Sequence, residues 1–275
     1  DTFYQTLYQK NPLAPVAVPK PEYFDSINLS RALEIYNSQL SDANDFVFII
    51  TGSFNADSIK TLLATYIGGL PHTNNEALFS DNGVRPVKGD IDLNVYKGSE
   101  DKSLILKYYS GEVAYDPDLA LKAQALTDIL NIKITEDLRE KLGAIYGGGI
   151  YGSINKLPYN NYSFQLVLPC GPSNVDTLLK AANEEIEKVK HDGPQQIDLD
   201  KVKKTWLEQY KVQLKENSFW SSKLQGIYFQ NDDPPRIFNY EQNVNAITTD
   251  DIKNTANKLL TGDNVITGVL YPEKK

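Results

Sequence analysis

Two histidines, His72 and His191, and one cysteine, Cys170, are the whole supply of imidazole and thiol in this 275-residue chain. A zinc hydrolase draws three protein ligands, commonly two of them on one helical face as His-Glu-x-x-His or His-x-x-Glu-His. His72 follows Leu70-Pro71 in a polar stretch, and His191 stands before Asp192-Gly193, so neither belongs to such a pattern. Cys170 lies between Pro169 and Gly171, remote in sequence from both possible bases that would activate it. No Gly-x-Ser-x-Gly and no Gly-x-x-x-x-Gly-Lys-Ser/Thr occurs. No catalytic residue and no metal ligand is therefore assigned, no cofactor is expected in this chain, and the chain is expected to be inactive alone. Gly147-Gly148-Gly149 leads into an alternating run rather than a helix, which argues against a phosphate cradle. Glycines in a strand mark a close backbone approach, by a neighbouring element or by an extended ligand.

One segment carries more specific chemistry: Leu138-Arg139-Glu140-Lys141-Leu142-Gly143-Ala144-Ile145-Tyr146-Gly147. Leu138 falls on an apolar helical stripe, which turns Arg139 about 100° away from it, toward an edge of the helix. Tyr146 opens the following strand. An Arg and a Tyr brought together by a helix-Gly-strand turn can both donate to one carbonyl or oxyanion. The competing reading is a surface Arg paired with Glu136 or Glu140. Arginine is scarce here, with Arg31, Arg85, Arg139 and Arg236 the four among 28 basic residues.

Several elements must position that pair. Residues 1–26 hold Pro12, Pro15, Pro19 and Pro21 and read as an extended lead-in, with one domain over 27–275. Leu29, Leu33, Tyr36 and Leu40 predict a helix, Asp45–Thr51 predicts a buried strand stopped by Gly52, and Ala56–Ile67 predicts a second helix. Alternation at 91–96 and 104–108 predicts two strands, and 145–154 with 160–168 a second pair. Asp116-Pro117 starts a long helix whose stripe runs from Leu119 to Leu142, with a possible break near Asn131. Ser173 with Asp176 and Thr248 with Asp251 read as helix caps, a long helical region runs from Asp198 to about Tyr228, and Val265–Tyr271 is a last strand. Strand pairs grouped beside helices imply an α+β fold, an αβ sandwich with a mainly antiparallel sheet packed against helices.

The charge balance, 28 Lys and Arg against 36 Asp and Glu, gives −8 and argues against nucleic acid or an anionic membrane surface as partner. No apolar run approaches the ~20 residues of a membrane span. The chain starts at Asp1 and contains no Met, so the lack of a leader carries no information about location.

The Arg139–Tyr146 segment resembles the Arg-Glu-Lys-x-Gly-x-x-Tyr signature of non-catalytic domains in the insulinase/pitrilysin-type zinc peptidases, the M16 family. Asp45–Phe54 is similar to that family's strand ending in Val-Gly-Asp/Asn-Phe, although Ser53 stands where Asp or Asn is common. Ile59–Tyr66 with Gly69-Leu70-Pro71, and Ile247-Thr248-Thr249-Asp250-Asp251-Ile252, resemble two further stretches. The resemblance implies a non-catalytic, C-terminal domain of a zinc metallopeptidase that binds a peptide or unfolded-protein substrate. It implies a chamber closed against a catalytic half, in the same polypeptide or a partner chain, that supplies the zinc. Arg139 and Tyr146 take the substrate-binding positions, and a bacterial periplasmic location is implied. A relative of the same fold used only for protein assembly is the alternative, and it would need neither residue.

Overall fold

Five strands build one sheet in the order β1-β5-β2-β4-β3. The computed structural model describes residues 1–73, 79–141, 143, 145 and 147–273, with the side chains of 139–141 also outside that description. The chain groups into two compact units, one of residues 1–14, 81–210 and 235–275 and one of residues 15–80 and 211–234.

In the first unit, helix α1 (Thr2–Leu7) occupies the region expected to be an extended lead-in. Phe3 and Leu7, four residues apart, give it one apolar side that is buried against Ile266. In the second unit, α2 (Pro21–Asp25), α3 (Leu29–Leu40) and α4 (Ala56–Tyr66) follow. Asn28 caps α3 by accepting from the Arg31 N–H at 2.9 Å, and Asn55 caps α4 through the Asp57 and Ser58 N–H groups. The strand expected at Asp45–Thr51 is not paired into the sheet, and Asp45 ends a short 3₁₀ turn, which corrects that expectation.

The sheet itself begins with β1 (Gly89–Tyr96) and β2 (Ser103–Glu112), and α5 (Pro117–Ile134) follows. Asp116 accepts from the Asp118 N–H at 3.0 Å and Pro117 holds a helical φ, as the Asp-Pro pair predicts. Then come β3 (Gly149–Asn155), β4 (Asn161–Cys170) and α6 (Val175–Asp192). A short 3₁₀ turn at Pro172–Asn174 displaces the expected Ser173 cap, and Asn174 takes the cap position. The helical region from Asp198 is two helices, α7 (Gln196–Gln213) and α8 (Asn217–Gln230). Helices α9 (Tyr240–Ala246) and α10 (Thr249–Leu259) lead to β5 (Asn264–Tyr271). Thr248 and Asp251 form a reciprocal capping box at the start of α10.

The pairing of β1 with β5 is parallel, and the pairings β5–β2, β2–β4 and β4–β3 are antiparallel. Ile105, Phe164, Leu166, Leu168 and Ile150 point from the sheet into one core with Leu126, Ile129 and Leu130 of α5 and Leu178 and Ile186 of α6. Each such side chain removed from water contributes roughly 1.5–3 kcal/mol, so this helix-backed face holds the sheet in place. The result is the expected α+β sandwich with a mainly antiparallel sheet.

Candidate functional site

Below Ile134 the helix α5 widens into a π-helical turn over Thr135–Lys141. The cause is in the spacing. Leu126, Leu130, Ile134 and Leu138 are all buried and stand four residues apart. At 3.6 residues per turn a step of four over-rotates by about 40°, so a continued α-helix would swing Leu138 off the core. A wider turn absorbs the drift and keeps Leu138 inside.

Charge holds the same turn from its outer side. Lys133 Nζ lies 2.8 Å from Asp198 Oδ2 and 3.2 Å from Glu136 Oε2. Lys201 Nζ sits 3.6 Å from Glu136 Oε1 and 3.7 Å from Asp198 Oδ1. Burial alone would push the Lys133 amine down, but hydrogen bonds to Asp198 and Glu136 more than reverse this and hold it above the usual lysine range. The pair of cations therefore ties the first residues of the π-turn to α7.

The chain re-enters the sheet at Ile145, which is buried and bridges Cys170. From that bridge to the Gly149–Val167 pair there are four steps on one side and three on the other. Gly148 has φ +101, and a Cβ there would lie 2.2 Å from the Val167 carbonyl oxygen. At Gly149, with φ +155, a Cβ would lie 2.4 Å from Asn131 Oδ1. Of the two readings of the glycine run, close packing accounts for Gly148 and Gly149.

Asn131 is the neighbour responsible. Its Oδ1 accepts from the Ile150 N–H at 2.8 Å, and its Nδ2 donates to the Ile150 carbonyl at 2.9 Å. A side-chain amide on α5 thus replaces the peptide group of a missing adjacent strand at the edge of β3. The segment from 131 to 150 is fixed at four places: Asn131, Lys133–Asp198, Leu138 and Ile145.

That segment contains the predicted substrate-binding pair. The backbone of Arg139 belongs to the π-turn, whereas its side chain and the whole of Tyr146 lie outside the described residues. Asn131 and the Lys133–Glu136–Asp198 cluster were not singled out by sequence pattern as supports. A mid-helix Asn in an apolar stripe, nineteen residues before a glycine-opened strand, is the signal that points to the first of them.

The residues for metal chemistry do not come together. His191 is exposed and its Nδ1 pairs with Asp192 Oδ1 at 2.5 Å. His72 is exposed beside Asp42, whose carboxyl is held below the usual range, first by the Thr73 hydroxyl and then by the Thr73 and Asn44 N–H groups. Among the described residues no group of three His, Cys, Asp or Glu side chains could hold a metal ion. The described residues do not fit a zinc centre. Cys170 is buried and its thiol is pushed up by that burial, the opposite of a reactive thiolate. No helix among the described residues is long and apolar enough to cross a membrane.

A helix-backed mixed sheet with a clamped edge strand defines the class as an αβ domain. The chain belongs to the M16 peptidase family: the model of the Peptidase M16 inactive domain matches residues 26–205. It is 22% identical over 249 residues to the probable zinc protease PqqL of Escherichia coli, an alignment covering 88% of this chain and 26% of the relative. It thus spans about a quarter of that relative's length. In structure it is similar to the periplasmic protease PqqL from Escherichia coli (TM-score 0.83, 19% identity, 99% of this chain and 30% of that one). It is also similar to a peptidase M16 inactive domain from Pseudomonas fluorescens (TM-score 0.80, 18% identity, 100% of this chain and 64% of that one). At these identities the structural likeness establishes the fold.

Proposed function

We propose that this domain binds the peptide substrate of a zinc metallopeptidase and completes its closed chamber, while another domain or chain supplies the metal centre. Arg139 and Tyr146 are the substrate-binding residues, each donating a hydrogen bond to a peptide carbonyl. Excluding water around the scissile bond and offering donors where negative charge develops is how such a domain contributes to rate without ligating the metal. The supporting observation is the 131–150 segment itself. It falls inside the inactive-domain match and is anchored by Leu138 before the Arg139–Tyr146 stretch, by Ile145 within it and by the Asn131–Ile150 clamp after it. Anchors of this kind are what a binding constellation requires. The location in this reading is the bacterial periplasm, which the PqqL likeness supports.

Photo-crosslinking tests the reading. A benzophenone side chain placed at position 146 of the full natural polypeptide should capture an unstructured peptide, and excess unlabelled peptide should abolish the adduct. A probe at Tyr23, on a helix of the other compact unit, serves as control. Equal capture from both positions, or none from 146 in an active enzyme, would remove the substrate role.

A further inference from the structure

Asp198 is 1% exposed, and a carboxylate so placed is costly to desolvate. Packing α5 on α7 does not by itself call for a charge there, because exchanging a buried ion pair for well-packed apolar residues is often neutral or stabilising. What the ions add is register. Trp206 Nε1 on α7 donates to Asp128 Oδ2 on α5 at 2.7 Å, and Lys133, further along α5, meets Asp198 at 2.8 Å. Two polar pins at different heights fix both the height and the rotation of the end of α5 against α7. Lys133 and Lys201 then hold Glu136, the second residue of the widened turn, at 3.2 and 3.6 Å. Without the widening, Leu138 and Arg139 would rotate together by about 40°. At the ~6 Å outer radius of a helix this is a displacement of roughly 4 Å, well beyond the tolerance of a contact to a substrate.

We propose that Asp198 is a positioning residue for Arg139: through Lys133 and Glu136 it sets the phase of the widened turn, and with it the direction in which Arg139 leaves the helix. The proposal rests on the reading of Arg139 as a substrate-binding residue, and it adds a group that touches no substrate itself. Burial of Leu138 alone does not fix that phase, because apolar contact is non-directional. The cluster supplies the direction, since each carboxylate meets both lysines: Asp198 at 2.8 and 3.7 Å, Glu136 at 3.2 and 3.6 Å.

Steady-state kinetics of the full natural polypeptide on an unstructured, internally quenched peptide test it, with Asp198→Asn, Arg139→Ala and the double variant, each first shown folded. Asparagine keeps the shape of the side chain and removes its charge. Asp198→Asn should lower kcat/KM about 10–100-fold, the loss that follows from moving a contact by an ångström or more. In the Arg139→Ala background the same change should alter kcat/KM by less than about twofold, because nothing remains for it to position. Lys133→Ala should repeat the loss, and Lys133→Arg, which keeps a cation between the two carboxylates, should restore most of it. If Asp198→Asn does not fold, Glu136→Gln, on the half-buried arm of the cluster, carries the same comparison. Losses that multiply in the double variant would assign the cluster to stability and overturn the proposal. Wild-type kinetics in Asp198→Asn beside an impaired Arg139→Ala would overturn it alone, and wild-type kinetics in Arg139→Ala would overturn it together with the substrate reading.

Discussion

Shortening Asn131 to alanine removes both hydrogen bonds that clamp Ile150, at 2.8 and 2.9 Å, from a half-buried strand edge. Orphaning a partly buried donor and acceptor costs about 1–2 kcal/mol each, so Asn131→Ala should destabilise the domain by roughly 2–3 kcal/mol. Gly149→Ala meets two obstacles: a backbone at φ +155 and an Asn131 oxygen 2.4 Å from the new Cβ. The backbone contributes roughly 1–3 kcal/mol, and relieving the contact costs most of the Asn131 clamp as well. The double variant should then cost less than the sum of the two, because alanine at 131 leaves no oxygen to collide with. A coupling of about 2 kcal/mol is expected in the cycle. Urea unfolding followed by circular dichroism gives the energies, and the exchange rate of the Ile150 amide reports the clamp directly. Strict additivity, or Asn131→Ala within about 0.5 kcal/mol of wild type, would refute the claim that this amide holds the strand.

Removing the cap at α10 with Thr248→Ala should cost about 1 kcal/mol, readable in the same unfolding experiment. Burial pushes the Asp251 carboxyl up, but Lys122 at 2.6 Å and the Thr248 N–H and hydroxyl more than offset this and hold it below the usual range. Its stabilisation is present above the ordinary carboxylate value, about pH 4, and is lost as pH falls through the lower folded value, so the gap between wild type and Asp251→Asn should close in acid. Asp198→Ala strands the Lys133 ammonium with one carboxylate partner fewer and should cost about 3 kcal/mol by urea unfolding. Burial pushes the Tyr240 hydroxyl up to about 12, so folding should favour its neutral form. Stability from this group is full below pH ~10 and lost as pH rises through 12, and Tyr240→Phe should flatten that alkaline decline.

The elements with local chemistry were legible. Asp116-Pro117 and Thr248 with Asp251 write their helix starts into adjacent side chains, and both caps form as their residue types require. Period-two alternation likewise marks β2 and β4, each with buried residues on one face, and β1, whose alternate residues are half-buried. Interactions between distant residues were not. Nothing local tells that Phe46–Thr51 stays outside the five-stranded sheet, since apolar β-branched residues report only what a strand would bury. Helix α1 was hidden because the prolines from Pro12 onward dominate its neighbourhood, although Phe3 and Leu7 carry a helical spacing. The π-turn was legible in principle, in the repeated spacing of four through Leu126, Leu130, Ile134 and Leu138. Asn131 reaching across to Ile150 was visible only as a polar residue within that stripe.

The role of Arg139 is tested most directly by steady-state kinetics of the full natural polypeptide carrying Arg139→Ala, alongside Arg139→Lys and Tyr146→Phe, each first shown folded. If Arg139 donates to the carbonyl oxygen as charge develops, kcat and kcat/KM should fall together by roughly 10²–10³-fold. Lysine should rescue little of that loss, because a point charge does not reproduce the planar fork of the guanidinium. A raised KM at constant kcat would place the residue in ground-state binding alone. Wild-type constants in all three folded variants would contradict the substrate-binding role and leave the domain with assembly as its function.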